Sequence, residues 1–243
     1  MHPVGGLGWC YSTLLPTLDP DQPLYGLQNR GLDGSTPLSA SLPELLTGYA
    51  EQIRAVQPTG PYRLLGYSMG GVLAHALAVE LQQQGESVEL LVLLDSYPVE
   101  VGIKGELSKE QVLTDMFQAY ARMHGDPDDV PDDPAETRAR VVAYMGRGNS
   151  ESRLLDDERR GTVLDVLINN VTLVHPVELG VFKEDVLLVA ATENVRSWAD
   201  PRAWEPFTAG GFERCEVAAT HEGLLAPEPA AEIGRILSKR LVK

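Results

Sequence analysis

Gly66-Tyr67-Ser68-Met69-Gly70 lies between the apolar run Tyr62-Arg63-Leu64-Leu65 and a helix-like stretch that begins at Gly71, so Ser68 falls on a strand-to-helix corner. A serine at such a corner is placed to act as a nucleophile. The flanking glycines let the chain fold sharply enough to push the hydroxyl out of the turn, while the backbone N–H that follows points at the same space. The five-residue pattern alone is weak: with this chain's glycine and serine usage it arises by chance in roughly one such sequence in ten. Its weight comes from its neighbours.

A serine hydroxyl needs a base to take its proton, and the base works best when a carboxylate holds its tautomer and stabilises the imidazolium. On a sheet with an elbow of this kind the chain order is serine, acid, histidine. The five histidines are His2, His75, His124, His175 and His221. Order excludes His2, His75 lies on the helix after the elbow, where a packed or surface role is expected, and His124 and His175 fall in an irregular block. His221, in Ala219-Thr220-His221-Glu222-Gly223, sits in a loop after the last strand and before the last helix, which brings it to the carboxyl edge of the sheet beside Ser68.

Two residues compete for the acid. Asp95 ends the strand after the elbow helix, in Leu93-Leu94-Asp95-Ser96, and Glu193 follows the next strand. Both can reach the histidine. Asp95 is preferred, because an ionised aspartate closing an entirely apolar strand is costly to bury without a partner, and His221 would supply one. The oxyanion formed by attack on a carbonyl also needs two donors. The Met69 N–H is the first, and the glycine-rich loop His2-Pro3-Val4-Gly5-Gly6 offers the second at Val4, with Gly5 in reserve.

The elements that must position these residues follow in order. Leu24-Tyr25-Gly26-Leu27 reads as a short strand, and Ser41-Leu42-Pro43-Glu44 has the spacing of a capping box before an amphipathic helix ending near Gln57. A strand over 62–67, a helix over 69–84 stopped by Gly85, and the apolar strand Val88 to Leu94 make a βαβ unit with Ser68 at its first turn. From Val99 to about Glu184 the alternation stops, and this block reads as several helices with acidic connections, among them the solvated stretch Asp126 to Pro134. Strands return at Val186-Ala190 and Phe212-Val217, followed by a helix from about Pro229 to Leu241. The expected architecture is α/β, a mostly parallel sheet flanked by helices and carrying a helical lid insertion.

Composition narrows the classes further. At 243 residues with 43% hydrophobic residues, the chain can bury the core of one α/β domain. A formal net charge of -15 argues against a nucleic-acid partner, which would need clustered Lys and Arg. No apolar run is long enough for a membrane span and no signal peptide opens the chain, so it reads as cytoplasmic. Cys10 and Cys215 match no metal or redox spacing and read as small buried hydrophobes.

His2-Pro3-Val4-Gly5-Gly6 with Trp9 and Tyr11, Gly60-Pro61-Tyr62 leading into Leu65 to Gly71, and Leu94-Asp95-Ser96-Tyr97-Pro98 together resemble the type I thioesterase domains that end nonribosomal peptide synthetases. The resemblance implies an α/β-hydrolase fold with a lid, a Ser68, Asp95 and His221 triad, and no cofactor or metal of its own. It also implies a peptidyl or acyl thioester substrate delivered on the phosphopantetheine of an upstream peptidyl carrier protein. The family carries a strand before its His-Pro loop, whereas this sequence starts at Met1. The expectation is therefore one thioesterase domain over 1–243, with its lid at about 99–184, forming the C-terminal part of a longer synthetase. Release to water, a macrocycle or an oligomer is left open, and a discrete editing thioesterase and a carboxylesterase acting on free esters are the alternative readings.

Overall fold

The computed structural model describes residues 1–98, 107–124, 131–147, 151–175, 178–195 and 199–241. The chain folds as two compact units, one built from 1–28, 42–100 and 178–243, the other from 29–41 and 101–177.

The first unit holds a four-stranded parallel sheet in the order β1 (Tyr62–Tyr67), β2 (Val88–Leu94), β3 (Val186–Ala191), β4 (Phe212–Val217). Gly66 pairs with Leu93 and Tyr67 with Leu94, while Leu94 pairs with Val189 and Ala191 with Val217. Parallel register brings the carboxyl ends of all four strands to one edge, which is where Ser68, Asp95 and His221 follow their strands. β3 is buried at every position, as a strand covered on both faces must be. One face packs on Leu14, Ala230, Ile233 and Leu237. The last three lie on α6 (Pro227–Leu241), whose polar residues turn to solvent. Also in this unit are α1 (Leu42–Val56) and α2 (Met69–Gln83), the second starting one residue after the elbow serine.

Two expectations fail here. Leu24 to Leu27 is not a strand. With residues 61–65 it lines a cavity of about 490 Å³, and among the described residues it joins no strand of the sheet. Cys10 and Cys215 are half-buried rather than buried. Cys215 sits on β4, the edge strand, where alternate residues face out.

The second unit is helical among its described residues: α3 (Lys109–His124), α4 (Pro134–Met145) and α5 (Asp157–Val174). Its apolar interior includes Val112, Phe117, Val141, Leu164 and Val166. Residues 29–41 join this unit although they are distant in sequence. The Asn29 side-chain amide donates to Asn170 Oδ1 at 3.1 Å, and the Asn169 amide donates to the Ser39 carbonyl at 3.1 Å. All three asparagines are buried, and these bonds make that burial tolerable. Most of the acidic stretch 126–134 lies outside the described residues.

Glycine decides how closely β1 and α2 approach. A Cβ on Gly66 would stand 2.0 Å from the Gly70 carbonyl oxygen and 2.2 Å from its carbon, neither of which a rotamer change can move. We expect Gly66→Ala to destabilise the protein by about 1–3 kcal/mol. Gly48 lies inside α1 with nothing within 4 Å of an added Cβ, so Gly48→Ala should stabilise by about 0.5–1 kcal/mol. Urea unfolding of the two variants should therefore shift in opposite directions.

Candidate active site

Ser68 has φ +57° and ψ -132°, and it precedes the first residue of α2 without capping that helix through its side chain. A positive φ is costly for a residue with a Cβ, and here the Ser68 N–H anchors the turn by donating to the Leu94 carbonyl at 3.0 Å. The hydroxyl is thereby left for another partner. His221 Nε2 lies 3.1 Å from Ser68 Oγ, and His221 Nδ1 lies 2.7 Å from Asp95 Oδ2. A carboxylate can only accept, so Nδ1 carries the proton and Nε2 is the acceptor that faces the hydroxyl. This arrangement can take a proton from Ser68 while the developing imidazolium is held beside a negative charge.

Asp95 is only 8% exposed and also has a positive φ, +41°. Its N–H donates to the Val189 carbonyl at 2.7 Å, which carries the pairing of β2 with β3 past the end of the strand. Its carboxylate is well satisfied: Oδ1 accepts from the Tyr97 hydroxyl at 3.0 Å and from the Ala191 amide at 3.1 Å, and Oδ2 accepts from His221. Glu193, the competing acid, has an exposed side chain, and its backbone N–H donates to the Ala219 carbonyl at 2.9 Å. It helps shape the histidine loop, and Asp95 is the carboxylate that meets the ring.

The His2-to-Gly6 loop is fastened from three directions. The Gly6 N–H closes a turn on the Pro3 carbonyl at 3.0 Å, and Gly6 takes φ +82°, which glycine supplies without strain. His2 is fully buried, with Nδ1 2.7 Å from the Pro3 carbonyl and Nε2 bonded to the Tyr49 hydroxyl of α1. Because a carbonyl only accepts, Nδ1–H is the donor and Tyr49 donates to Nε2. The Tyr11 hydroxyl reaches the Met1 carbonyl and accepts from the Tyr67 N–H at 2.9 Å. A Cβ on Gly70 would lie 2.5 Å from the His2 carbonyl oxygen, so the loop that carries Val4 rests on the first turn of α2. Met69 opens that turn, and its amide has no partner within the helix.

The remaining histidines lie elsewhere. His75 is fully buried, its Nε2 is 2.8 Å from the Phe207 carbonyl, and its ring packs 4.9 Å from Trp204. His124 stacks on Tyr144 in the second unit at 5.1 Å. Sequence reasoning passed over Tyr49, Tyr67, Tyr97 and the Ala191 amide. Of these only Tyr97, two residues after the acid, carried a local hint. Among the described residues, no cluster of His, Cys, Asp and Glu could hold a metal ion, and no helix is long and apolar enough to cross a membrane.

Comparison with known proteins places the chain in a wider group. Residues 1–237 match the family described as thioesterase domain. The chain is 36% identical over 246 residues to the dimodular nonribosomal peptide synthase of Bacillus subtilis (strain 168), covering 99% of itself and 10% of that protein. It thus spans about a tenth of the length of that curated relative. The NocB thioesterase domain, solved as a covalent complex with a fluorophosphonate nocardicin G analog, superposes with a TM-score of 0.69 at 24% identity, covering 99% of this chain and 92% of that one. The thioesterase domain that cyclises the lipopeptide antibiotic surfactin gives 0.67 at 23% identity, covering 99% and 90%. These likenesses identify the fold as α/β-hydrolase.

Burial and hydrogen bonding oppose each other at Asp95. Burial pushes the Asp95 carboxyl up, but hydrogen bonds from His221, the Ala191 amide and Tyr97 outweigh it and leave the group below its usual range. Burial lowers His2 from 6.5 to about 4, opposed by its bond to Pro3, and burial also lowers His75. For a histidine with a depressed folded value the unfolded chain binds more protons, so its contribution is complete above about pH 6.5 and is lost as pH falls toward 4. We expect urea-unfolding stability to drop between pH 6.5 and 4, with His2 contributing on the order of 3 kcal/mol of the change. His2→Asn should be less stable at pH 7 and show a shallower slope across that window.

Proposed function

The chain belongs to the thioesterase domain family, and from that membership we propose that it releases a peptidyl or acyl chain from a synthetase. In this reading the chain arrives as a thioester on the phosphopantetheine of a peptidyl carrier protein and is captured on Ser68. The observation that carries the reading is the continuous relay Ser68 Oγ, His221, Asp95, with contacts of 3.1 and 2.7 Å. Residues 1–243 would form one thioesterase domain, with the helical block from about 99 to 184 as its lid, working in the cytoplasm as the C-terminal part of the synthetase.

The reaction runs in two halves. His221 Nε2 takes the Ser68 proton as Oγ attacks the thioester carbonyl, and the oxyanion is held by the Met69 and Val4 amides. Collapse breaks the carbon–sulfur bond, the imidazolium returns the proton to the pantetheine sulfur, and an acyl-O-Ser68 ester remains. His221 then deprotonates the second nucleophile. Water gives a free acid, and an amine or hydroxyl of the bound chain gives a macrocycle or an oligomer. That one structural relative cyclises surfactin favours keeping the internal nucleophile as an outcome of the same ester. Asp95 keeps the imidazole in the tautomer that each half requires.

Offered a panel of peptidyl-pantetheine thioesters of different lengths and terminal nucleophiles, the protein should show the mass of an acylated Ser68 peptide and release acid or ring product. Ser68→Ala should show neither, and normal turnover by that variant would refute the nucleophile. Asp95→Asn should lower kcat by about a thousand- to ten-thousandfold, because the amide cannot hold the same tautomer. Serine-directed fluorophosphonate labelling separates this reading from a non-catalytic carrier-binding module, which would bind a carrier and stay unlabelled.

A further inference from the structure

Tyr67 fills the variable position of the elbow immediately before the serine, and the acyl-transfer steps make no use of its side chain. Its hydroxyl donates to the His221 backbone carbonyl at 2.6 Å. Its ring lies 4.9 Å from the imidazole, tilted by 30°. Tyr67 is itself fixed by the β1–β2 ladder opposite Leu94 and by its own N–H bond to Tyr11.

The histidine loop is gripped on both sides of the catalytic position. Ala219 is held from β3 through the Glu193 N–H at 2.9 Å, and His221 is held from β1 through Tyr67. Just past the second anchor the loop turns back on itself, with the Gly223 N–H donating to the Thr220 carbonyl at 3.1 Å. Consecutive residues of one strand end therefore touch the two ends of one histidine: Tyr67 the main chain, Ser68 the ring. Any drift of the loop away from the elbow stretches both contacts together.

We propose that Tyr67 is a positioning residue that sets the distance and tilt at which His221 meets Ser68, its hydroxyl fixing the loop and its ring fixing the imidazole plane. This rests on the acyl-serine reading. Proton transfer in the rate-limiting geometry is sensitive to displacements of about 1 Å, which can cost about a hundredfold in rate. Substrate binding does not depend on that distance, so the role belongs in kcat and not in KM.

The test compares the full chain carrying Tyr67→Phe and Tyr67→Leu with wild type, by the rate of fluorophosphonate labelling and by kcat and KM on a peptidyl-pantetheine thioester. Tyr67→Phe keeps the ring contact and the packing and loses only the tether, so labelling and kcat should fall about three- to tenfold with KM unchanged. Tyr67→Leu loses both contacts and should fall further, toward about a hundredfold. Partial rescue by Phe over Leu is the signature of two separable contacts. If both variants label at the wild-type rate, or if KM rises while kcat holds, the positioning role is overturned. A wild-type protein that resists labelling would instead overturn the acyl-serine reading and this one with it.

Discussion

A carboxylate has been drawn into a place from which water is almost excluded, and the carboxyl edge of the sheet is organised around making that tolerable. Asp95 ends the strand β2, whose last four residues are all buried, and an unpaired ion there would cost several kcal/mol. Three donors meet it, one each from a side chain two residues on, from the adjacent strand and from the histidine loop. The donor from the loop is the one that matters for chemistry. Because Asp95 demands a proton at Nδ1, the lone pair of His221 is left at Nε2, facing the elbow. The tautomer is thus a consequence of burial, and the direction of proton transfer is a consequence of the tautomer.

Backbone conformation shares the task. Ser68 and Asp95 both adopt positive φ, at the ends of neighbouring strands. A positive φ is uncommon for a residue with a Cβ, and a backbone hydrogen bond holds each one: Ser68 N–H to Leu94, Asp95 N–H to Val189. These two bonds extend the strand ladders by one rung each. The sheet therefore supplies more than a platform, because its ladder runs on into the two residues whose side chains turn toward His221. The close approach of Gly66 to Gly70 is part of the same device, since it lets α2 start directly against the strand that feeds it.

Much of this was legible from residues alone, and what was legible has a common cause. Strands buried on both faces write unbroken apolar runs, helices with one wet face write a 3.6-residue period, and an elbow writes glycines, so the βαβ unit and the order Ser68, Asp95, His221 could be read off. Leu24 to Leu27 does not form the strand its apolar run predicts: Tyr25 within it is exposed, and apolar composition says nothing of whether a backbone partner is present. The tyrosines were missed for a different reason. Tyr67 looked like one more apolar residue of β1, and only the fold could reveal that its hydroxyl lies beside a carbonyl 154 residues away. The joining of residues 29–41 to the helical unit depends likewise on asparagine bonds with no sequence period.

The second unit marks where this kind of reading stops, and its composition explains why. Val112, Phe117, Val141 and Val166 occupy its interior, and Tyr144 packs 6.0 Å from Phe117. The pattern of apolar residues there is accounted for by the unit's own packing, which many sequences satisfy equally well. The relay is different, since few residues other than serine, histidine and aspartate could fill its three places. The proposed capture of a substrate on Ser68 is thus tied to residue types that sequence records directly. The interior of the helical unit is held by shape, distributed over many interchangeable apolar side chains, and such information is carried by the assembled fold and not by any residue that can be named in advance.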